Sequence, residues 1–396
     1  MDFSLSDHHL LIRDTVREFM QAEVRPHVKE WERTDHFPLD AIKKLGALGC
    51  CGMLLSEEWG GPGLDTLSYV LMLEEVAKVH AAMATAISVT NSAVQTPLLT
   101  FGTDDQKSKY LRRLASGEIL GAFCLTEPAA GSDAAGIQAT AVPSSTSEDL
   151  SSRHSPLATR HYVLNGTKTW VTNGSAAGLF LVFAKTDPAA AGKGITAFLL
   201  EPNTPGLKIG RHEDKMGQRS SPSVEILLDN CIVPASARLG EEGQGLKIAL
   251  SALDNGRIGI ASLAVGLAQG ALDESVKYAR ARRAFGKSIG EFQAIQWMLA
   301  DMHTELEAAR SLVHQAAALK DSGGKMGSAA SRAKLYASEM ANRVVYKAVQ
   351  IHGSLGYSRE SEVERMYRDA RVLTIYEGTS EIQRTIIARD LLSRPT

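Results

Sequence analysis

A carboxylate near the C-terminal end of the chain is the strongest candidate for chemistry. Glu377 lies within residues 375–384, which read Ile-Tyr-Glu-Gly-Thr-Ser-Glu-Ile-Gln-Arg. Gly378 follows directly, and a residue without a Cβ lets a ligand approach the backbone closely. Ser380 precedes Gln383 by three residues, which predicts the capping box of a last helix. Glu377 would then lie on the loop before that helix, where it could act as a general base. Because an isolated Glu is usually a solvated surface residue, this assignment needs support from other motifs.

Several common catalytic signatures are missing from the sequence. There is no G-x-x-x-x-G-K-[ST] motif, and residues 240–245 lack the spacing and preceding strand of a dinucleotide fingerprint. Residues 352–356 depart from the nucleophile-elbow pattern at their first position, which favours a turn around Ser354. The histidines are scattered, without an H-E-x-x-H motif or a cluster of carboxylates, so we expect no metal site.

Three segments differ in their hydrophobic periodicity. Apolar residues recur at helical spacing in residues 1–120, and the same period returns in residues 236–396, where runs of twenty residues or more indicate a bundle of long helices. Residues 121–235 instead contain short β-type runs separated by turn residues. The sequence predicts an N-terminal helical domain, a small middle β domain and a C-terminal helical bundle.

Local signals within the middle segment predict its strands. Asn165-Gly166 between two apolar runs is typical of a tight hairpin turn. Residues 179–185, 194–200 and 224–228 are further predicted strands. The Ser-rich residues 141–158 predict a long hairpin loop of unknown function.

Composition excludes several functions for this chain of 396 residues. Its net charge of −2 gives no electrostatic footprint for nucleic acid or an anionic membrane surface, and no apolar run is long enough to span a bilayer. The N-terminal residues lack the pattern of a signal or transit peptide, which favours a bacterial cytoplasmic protein over a mitochondrial one. The four cysteines have no metal-site spacing and are expected to be buried thiols: Cys50, Cys51, Cys124 and Cys231.

Five further motifs, in order along the whole chain, resemble those of acyl-CoA dehydrogenases. They are residues 123–133, residues 170–173, the Arg-Arg-Ala-Phe-Gly run at 282–286, Phe292-Gln293 and residues 350–357. The chain is most similar to the short-chain, butyryl-CoA branch. This resemblance implies an α+β multidomain fold with an N-terminal helical domain, a middle β-barrel and a C-terminal four-helix bundle. It also implies one FAD per subunit and a homotetramer.

The resemblance assigns a role to individual residues. Trp170 would cover the isoalloxazine, and the hydroxyls of Thr126 and Thr172 would bond its edge. Arg282 would pair with the FAD pyrophosphate, across a subunit contact, because a guanidinium matches phosphate oxygens. The implied cofactor-binding set is Phe123, Leu125, Thr126, Ser132, Trp170, Val171, Thr172, Arg282, Phe285, Phe292, Gln293, Gln350, Ile351, Gly353, Ser354, Thr379 and Glu381. The implied substrate-binding set is Ser132, Asp254, Arg257 and Gly378, although Asp254 and Arg257 could equally be a structural ion pair that ties helices together.

By the same resemblance, Glu377 would remove the α-proton of an acyl-CoA while the β-hydride passes to FAD, giving a trans-2-enoyl-CoA. Electrons would then pass to an electron-transfer flavoprotein. The isovaleryl-type branch has its base at the position of Gly256, which cannot serve. The glutaryl-type branch has an Arg at the position of Ala84, which makes a dicarboxylic substrate less favoured. Two alternatives remain open: a desulfinase-type lyase on the same scaffold, and a non-catalytic assembly partner.

Overall fold

The N-terminal third of the chain is helical, as its periodicity predicts. The computed structural model describes residues 5–145 and 160–393. Seven α-helices precede the first strand: α1 Asp7–Phe19, α2 Val28–Thr34, α3 Leu39–Ala47, α4 Thr66–Val79, α5 Ala81–Ser88, α6 Thr96–Phe101 and α7 Asp104–Ala115. A π-helical stretch, Val89–Gln95, joins α5 to α6. Almost every residue from α4 through the π-helical stretch is buried, so this region forms part of the core and not a solvated layer.

The middle segment forms one mixed eight-stranded sheet. Its strands are β1 Leu120–Cys124, β2 Thr140–Ser145, β3 Arg160–Thr172, β4 Ala177–Lys185, β5 Ile195–Leu200, β6 Leu207–His212, β7 Ser223–Pro234 and β8 Arg238–Leu239. They are paired in the order β6-β7-β3-β2-β4-β5-β8, with β1 parallel to β4. The predicted strands at residues 179–185 and 224–228 are confirmed as parts of β4 and β7, and the strand predicted at 194–200 is β5, which begins one residue later.

The sheet curls around a single apolar core, as a barrel does. Alternate residues of β4 point to opposite faces. Phe180 and Val182 join a cluster with apolar side chains from each of the strands β1 to β7. Leu181 and Phe183 pack on the other face against helices α6, α7 and the start of the next domain. The second contact fixes the sheet against both helical regions.

The predicted hairpin at Asn165-Gly166 is wrong, because β3 runs through these residues without turning. A break in the β3–β7 register between Leu164 and Gly166 marks a bulge. Gly166 has φ of +147°, and a Cβ there would lie 2.6 Å from the Cβ of Ala139. The Asn165 side chain accepts a hydrogen bond from the Asn230 N–H of β7. The Asn-Gly pair therefore serves close packing inside a strand and not chain reversal.

The predicted long loop at residues 141–158 begins later than expected. Residues 141–145 belong to β2, which pairs antiparallel with the start of β3 from Thr140 opposite Asn165. The remainder of the predicted loop falls outside the described residues.

Long helices return after the sheet. They are α8 Gly245–Ala281, α9 Gln293–Asp321, α10 Gly327–His352, α11 Glu362–Ala370 and α12 Ser380–Leu392. Two short strands, β9 Arg283–Ala284 and β10 Lys287–Ser288, form a hairpin between α8 and α9. The predicted turn at residues 322–324 is confirmed between α9 and α10.

Helix α8 is the central element of the fold. It packs on α4, α9 and α10 within one core cluster that spans the N- and C-terminal helical regions. Among the described residues, α8 alone is long and apolar enough to cross a membrane by composition, and 78% of that window is buried within the protein. Such burial is typical of the core helix of a bundle. The four cysteines are buried thiols, as predicted.

We expect Gly266→Ala to destabilise the protein by about 1–3 kcal/mol, because overpacking forces neighbouring groups apart. A Cβ at Gly266 would lie 2.2 Å from the backbone carbonyl oxygen of Glu74, where α4 crosses α8. Gly327→Ala is the matched control, since its Cβ would meet no atom within 4 Å. Urea unfolding of both variants tests this prediction. Equal midpoints for the two variants would contradict it.

Candidate active site

Glu377 lies in a strained turn between α11 and α12. Its φ is +51°, and Gly378 follows with φ of +92°, so two successive residues adopt the left-handed region. Only glycine adopts this region without strain, and strained backbone persists where the surrounding structure enforces it. Thr379 is the N-cap of α12, and its hydroxyl accepts from the Ile382 N–H. The predicted cap at Ser380 is therefore wrong by one residue, because Ser380 is already the first residue of the helix.

The carboxylate of Glu377 occupies the space left by the missing side chain of Gly256. A Cβ built on Gly256 would lie 1.6 Å from Glu377 Oε2 and 3.0 Å from Oε1. Gly256 is on α8, so the turn before α12 delivers its carboxylate onto the central helix. Any side chain at position 256 would displace that carboxylate.

Burial changes the acidity of Glu377. Its Oε2 is buried and has no hydrogen-bond partner among the described residues. This burial raises the pKa of Glu377 to about 7, against the opposing charges of Lys334 and Arg257. A carboxylate with a raised pKa is a stronger base, which suits proton abstraction near neutral pH.

The backbone of the turn is held by buried donors. Lys334 on α10 donates from Nζ to the Gly378 carbonyl oxygen at 2.7 Å. Gln383 on α12 donates from Nε2 to the same oxygen at 3.0 Å and to the Glu377 carbonyl oxygen at 3.4 Å. No acceptor within residues 5–145 and 160–393 takes the Glu377 N–H. That N–H is available to a ligand oxygen.

Two segments predicted to contact a flavin lie side by side. The Thr169 N–H donates to the Thr126 carbonyl oxygen at 2.9 Å, which joins the segment after β1 to the end of β3. The ring of Trp170 is 58% exposed, and its φ is +59°. The other members of this group are Phe123, Leu125, Val171, Thr172 and, further along the first segment, the exposed Ser132.

A buried ion pair supports this junction. Lys168 Nζ lies 2.6 Å from Glu127 Oε1 and donates to the Leu125 carbonyl oxygen. The Glu127 carboxylate also accepts from the N–H groups of Gln138 and Ala139. An ammonium and a carboxylate are tolerated inside a protein when each is paired in this way.

A second group of predicted cofactor residues lies where α8 ends, α9 begins and α10 ends. Arg282 and Phe285 lie at the β9–β10 hairpin, and Phe292 and Gln293 begin α9. Phe285 is 95% exposed, and Arg282 is exposed, without an ion-pair partner within the described ranges. Gln350, Ile351, Gly353 and Ser354 lie at the C-terminal end of α10, where a Cβ on Gly353 would meet nothing within 4 Å. This group therefore presents a free cation, an exposed ring and an open backbone position.

The predicted substrate residues Asp254 and Arg257 form an ion pair within α8. Because both residues lie on one helix, the alternative prediction of an ion pair that ties helices together is wrong. Arg257 is buried, whereas Asp254 is partly exposed. Arg257 lies one residue beyond Gly256, and its charge acts on Glu377. Of the two cofactor residues predicted on the last helix, Thr379 is the N-cap of α12, whereas Glu381 is exposed.

Sequence reasoning missed the residues that hold the Glu377 turn. Lys334 gave no signal because a lysine within an amphipathic helix is usually solvated. The Tyr376 hydroxyl oxygen lies 3.3 Å from Thr85 Oγ1 and 3.4 Å from Gln218 Nε2. The Gln218 side-chain oxygen accepts a hydrogen bond from the Thr85 hydroxyl, and the Gln218 backbone N–H donates to the Asp369 carboxylate. These contacts join α5, the β6–β7 loop and α11 beneath the turn.

Comparison with known proteins identifies the class. Models of the acyl-CoA dehydrogenase N-terminal, middle and C-terminal domains match residues 6–118, 122–231 and 243–392. The short-chain specific acyl-CoA dehydrogenase of Clostridium acetobutylicum is 43% identical over 388 residues, which cover 98% of this chain and 99% of that protein. This chain belongs to the acyl-CoA dehydrogenase family.

Solved structures agree over nearly the whole chain. Butyryl-CoA dehydrogenase from Megasphaera elsdenii has a TM-score of 0.93 at 42% identity, over 99% of this chain and 100% of that one. A chain from the structure named for the electron transferring flavoprotein of Acidaminococcus fermentans has a TM-score of 0.94 at 43% identity, over all of both chains. The predicted family and three-domain architecture are confirmed.

The residues present fit the FAD of this family. An exposed flat indole at Trp170 and hydroxyls at Thr126 and Thr172 suit a flavin ring with a polar edge. The exposed Arg282 guanidinium suits a pyrophosphate, and the open space at Gly353 lets such a group approach the backbone.

We expect Gly256→Ala to lower kcat by about 100-fold or more, since a small misplacement of a reacting group has an effect of this size. The added methyl would occupy the position of Glu377 Oε2. Steady-state turnover with FAD content as a control measures the effect, and Gly327→Ala controls for the substitution itself. Wild-type kcat in Gly256→Ala would show that Glu377 does not act from the observed position.

We also expect kcat/KM to fall as the pH drops through about 7, because the pKa of Glu377 is raised to about 7 and its protonated form is not a base. The decline should be about tenfold per pH unit below the midpoint. A pH profile of kcat/KM measures this midpoint. A midpoint near 4.5, the ordinary value for Glu, would contradict the effect of burial.

Proposed function

We propose that this protein catalyses the FAD-dependent α,β-dehydrogenation of a short-chain or branched short-chain acyl-CoA to the trans-2-enoyl-CoA. The observation that carries this proposal is the Glu377 carboxylate, whose Oε2 is buried and seated against Gly256 and whose pKa is raised to about 7. The supporting comparisons are the family match over three domains and the short-chain relatives.

Glu377 is the proposed catalytic base. Its ionised carboxylate takes the α-proton of the thioester, and the carboxyl group then holds that proton on an oxygen. Bound FAD supplies the acceptor for the β-hydride, so the Cα–H and Cβ–H bonds break as the Cα=Cβ bond forms. The α-proton of a thioester is weakly acidic, and a buried base without hydrogen-bond donors is stronger than a solvated one.

The backbone of Glu377 stabilises the charge that develops on the substrate. Its N–H has no acceptor among the described residues, so it can donate to the thioester oxygen as the enolate forms. A preorganised donor of this kind contributes roughly 3–4 kcal/mol. Lys334 and Gln383 hold the adjacent carbonyls and keep this donor from rotating away.

Cofactor binding is divided between the two groups of residues. The group around Trp170 and Thr126 would hold the isoalloxazine against the β domain. The group around Arg282, Gln350 and Gly353 would hold the pyrophosphate and adenine. We propose that the second group serves the FAD of a neighbouring subunit in a homotetramer, because the exposed ring of Phe285 needs a partner surface.

The proposed function also requires an electron acceptor and a cellular location. An electron-transfer flavoprotein is the proposed acceptor of the electrons from reduced FAD. The similar chain from the structure named for the electron transferring flavoprotein of Acidaminococcus fermentans supports this assignment. A cytoplasmic location in a bacterium is proposed on the basis of bacterial relatives.

Anaerobic mixing of the purified yellow protein with acyl-CoA thioesters of different length and branching tests this function. We expect rapid bleaching of the flavin band with four- or five-carbon thioesters. Glu377→Gln should retain FAD but show no bleaching, because the amide cannot accept the proton.

Two outcomes would contradict the proposal. Bound FAD that no thioester reduces would favour the lyase or the non-catalytic alternative, and activity without any electron acceptor would distinguish the lyase. Robust dehydrogenation by Glu377→Gln would remove Glu377 from its role as the base.

A further inference from the structure

Lys334 is a buried cation whose charge has no role in the proposed reaction so far. It lies on α10, its side chain is 0% exposed, and it is among the largest fully buried side chains of the described residues. Burying an ammonium without compensation is strongly unfavourable. Its position therefore needs an energetic reason.

Hydrogen bonding supplies only part of that reason. Lys334 Nζ donates to the Gly378 carbonyl oxygen at 2.7 Å, and this acceptor is neutral. No carboxylate oxygen in the described part of the chain lies within ion-pair distance of Lys334. The compensating charge must act from further away.

The turn that Lys334 holds is the one that carries Glu377. The Glu377 carboxylate has the largest opposing effect on the Lys334 ammonium, whose pKa burial lowers to about 8. The relation is mutual, because Lys334 is also the largest influence that lowers the pKa of Glu377. The other charged or titratable groups that act on the two are Arg257 of α8, Glu339 of α10, Glu381 of α12, Tyr69 of α4 and Tyr376 of the turn itself.

Of the two cations that act on Glu377, Lys334 is the uncommitted one. Arg257 already pairs with Asp254 on its own helix, which neutralises much of its charge. Lys334 has no such partner. Its charge is therefore the main stabilisation that the ionised base receives inside the protein.

We propose that Lys334 is a positioning residue for the catalytic base. It fixes the left-handed turn through the Gly378 carbonyl, and its ammonium is the counter-charge that stabilises the ionised carboxylate of Glu377. This inference rests on the proposed role of Glu377.

Gln383 provides a matched control for the two parts of this role. It is fully buried like Lys334 and donates to the same carbonyl oxygen, at 3.0 Å, but it carries no charge. Loss of Gln383 weakens the hold on the turn alone. Loss of Lys334 weakens the hold and also removes the charge.

The pH profile of kcat/KM separates the charge from the hydrogen bond. In Lys334→Gln and Lys334→Met, we expect the acid midpoint to rise by about one to three pH units, the effect of removing a nearby opposite charge. At pH 7 this shift lowers kcat/KM by about fivefold or more. Gln383→Leu should lower kcat without moving the midpoint, and Lys334→Arg should restore the wild-type midpoint.

An unchanged acid midpoint in folded, FAD-bound Lys334→Gln would overturn the proposal. So would a midpoint shift of equal size in Gln383→Leu, because that result would assign the effect to the turn and not to the charge.

A reciprocal measurement applies if the neutral Lys334 variants do not retain FAD. Coupling between two sites is mutual, so Glu377→Gln must lower the pKa of Lys334. Nζ or Cε chemical shifts of isotopically labelled lysine, assigned with Lys334→Arg, report that pKa in holoenzyme. An identical Lys334 pKa in wild type and Glu377→Gln would also overturn the proposal.

This second measurement needs no turnover. If no acyl-CoA reduces the flavin, the proposed function fails, while the chemical shifts still decide whether Lys334 and Glu377 are coupled. The two failures are therefore distinguishable.

Discussion

The contact between the Glu377 carboxylate and the bare backbone of Gly256 is the constraint on which the rest of the site depends. The carboxylate reaches α8 only because residues 377 and 378 adopt left-handed backbone, and it fits only because position 256 has no side chain. The Oε2 atom of this base is buried, and no group in the described part of the chain donates a hydrogen bond to it. Its raised pKa follows from that position, so the geometry of the turn and the strength of the base have one cause.

Each domain contributes to holding that turn. Helix α8 supplies Gly256, α10 supplies Lys334 and α12 supplies Gln383, while Tyr376 contacts Thr85 of α5 and Gln218 of the β6–β7 loop. The β domain also presents Trp170 in strained backbone, with the adjacent segment fixed by the buried Lys168–Glu127 pair. Strained backbone at functional sites persists where the surroundings enforce it, and here those surroundings come from the entire chain.

The sequence predicted the elements well where local chemistry decides the structure. Periodicity located the long helices, and motif order identified the family, its three domains and Glu377 as the candidate base. It failed where tertiary packing overrides a local signal. Asn165-Gly166 is a bulge because Ala139 packs where a Cβ would stand, and the cap of α12 is Thr379 because the turn before it is left-handed. Lys334 could not be found because its burial depends on elements far apart in the chain.

The most direct test of whether burial raises the pKa of Glu377 is an infrared pH titration of this residue in the free, FAD-bound enzyme. The difference between wild type and Glu377→Gln isolates the carbonyl stretch of the protonated carboxyl group. We expect this band to disappear as the pH is raised, with a midpoint at about pH 7. A midpoint near 4.5 would show a solvated carboxylate and would contradict a buried base seated against Gly256.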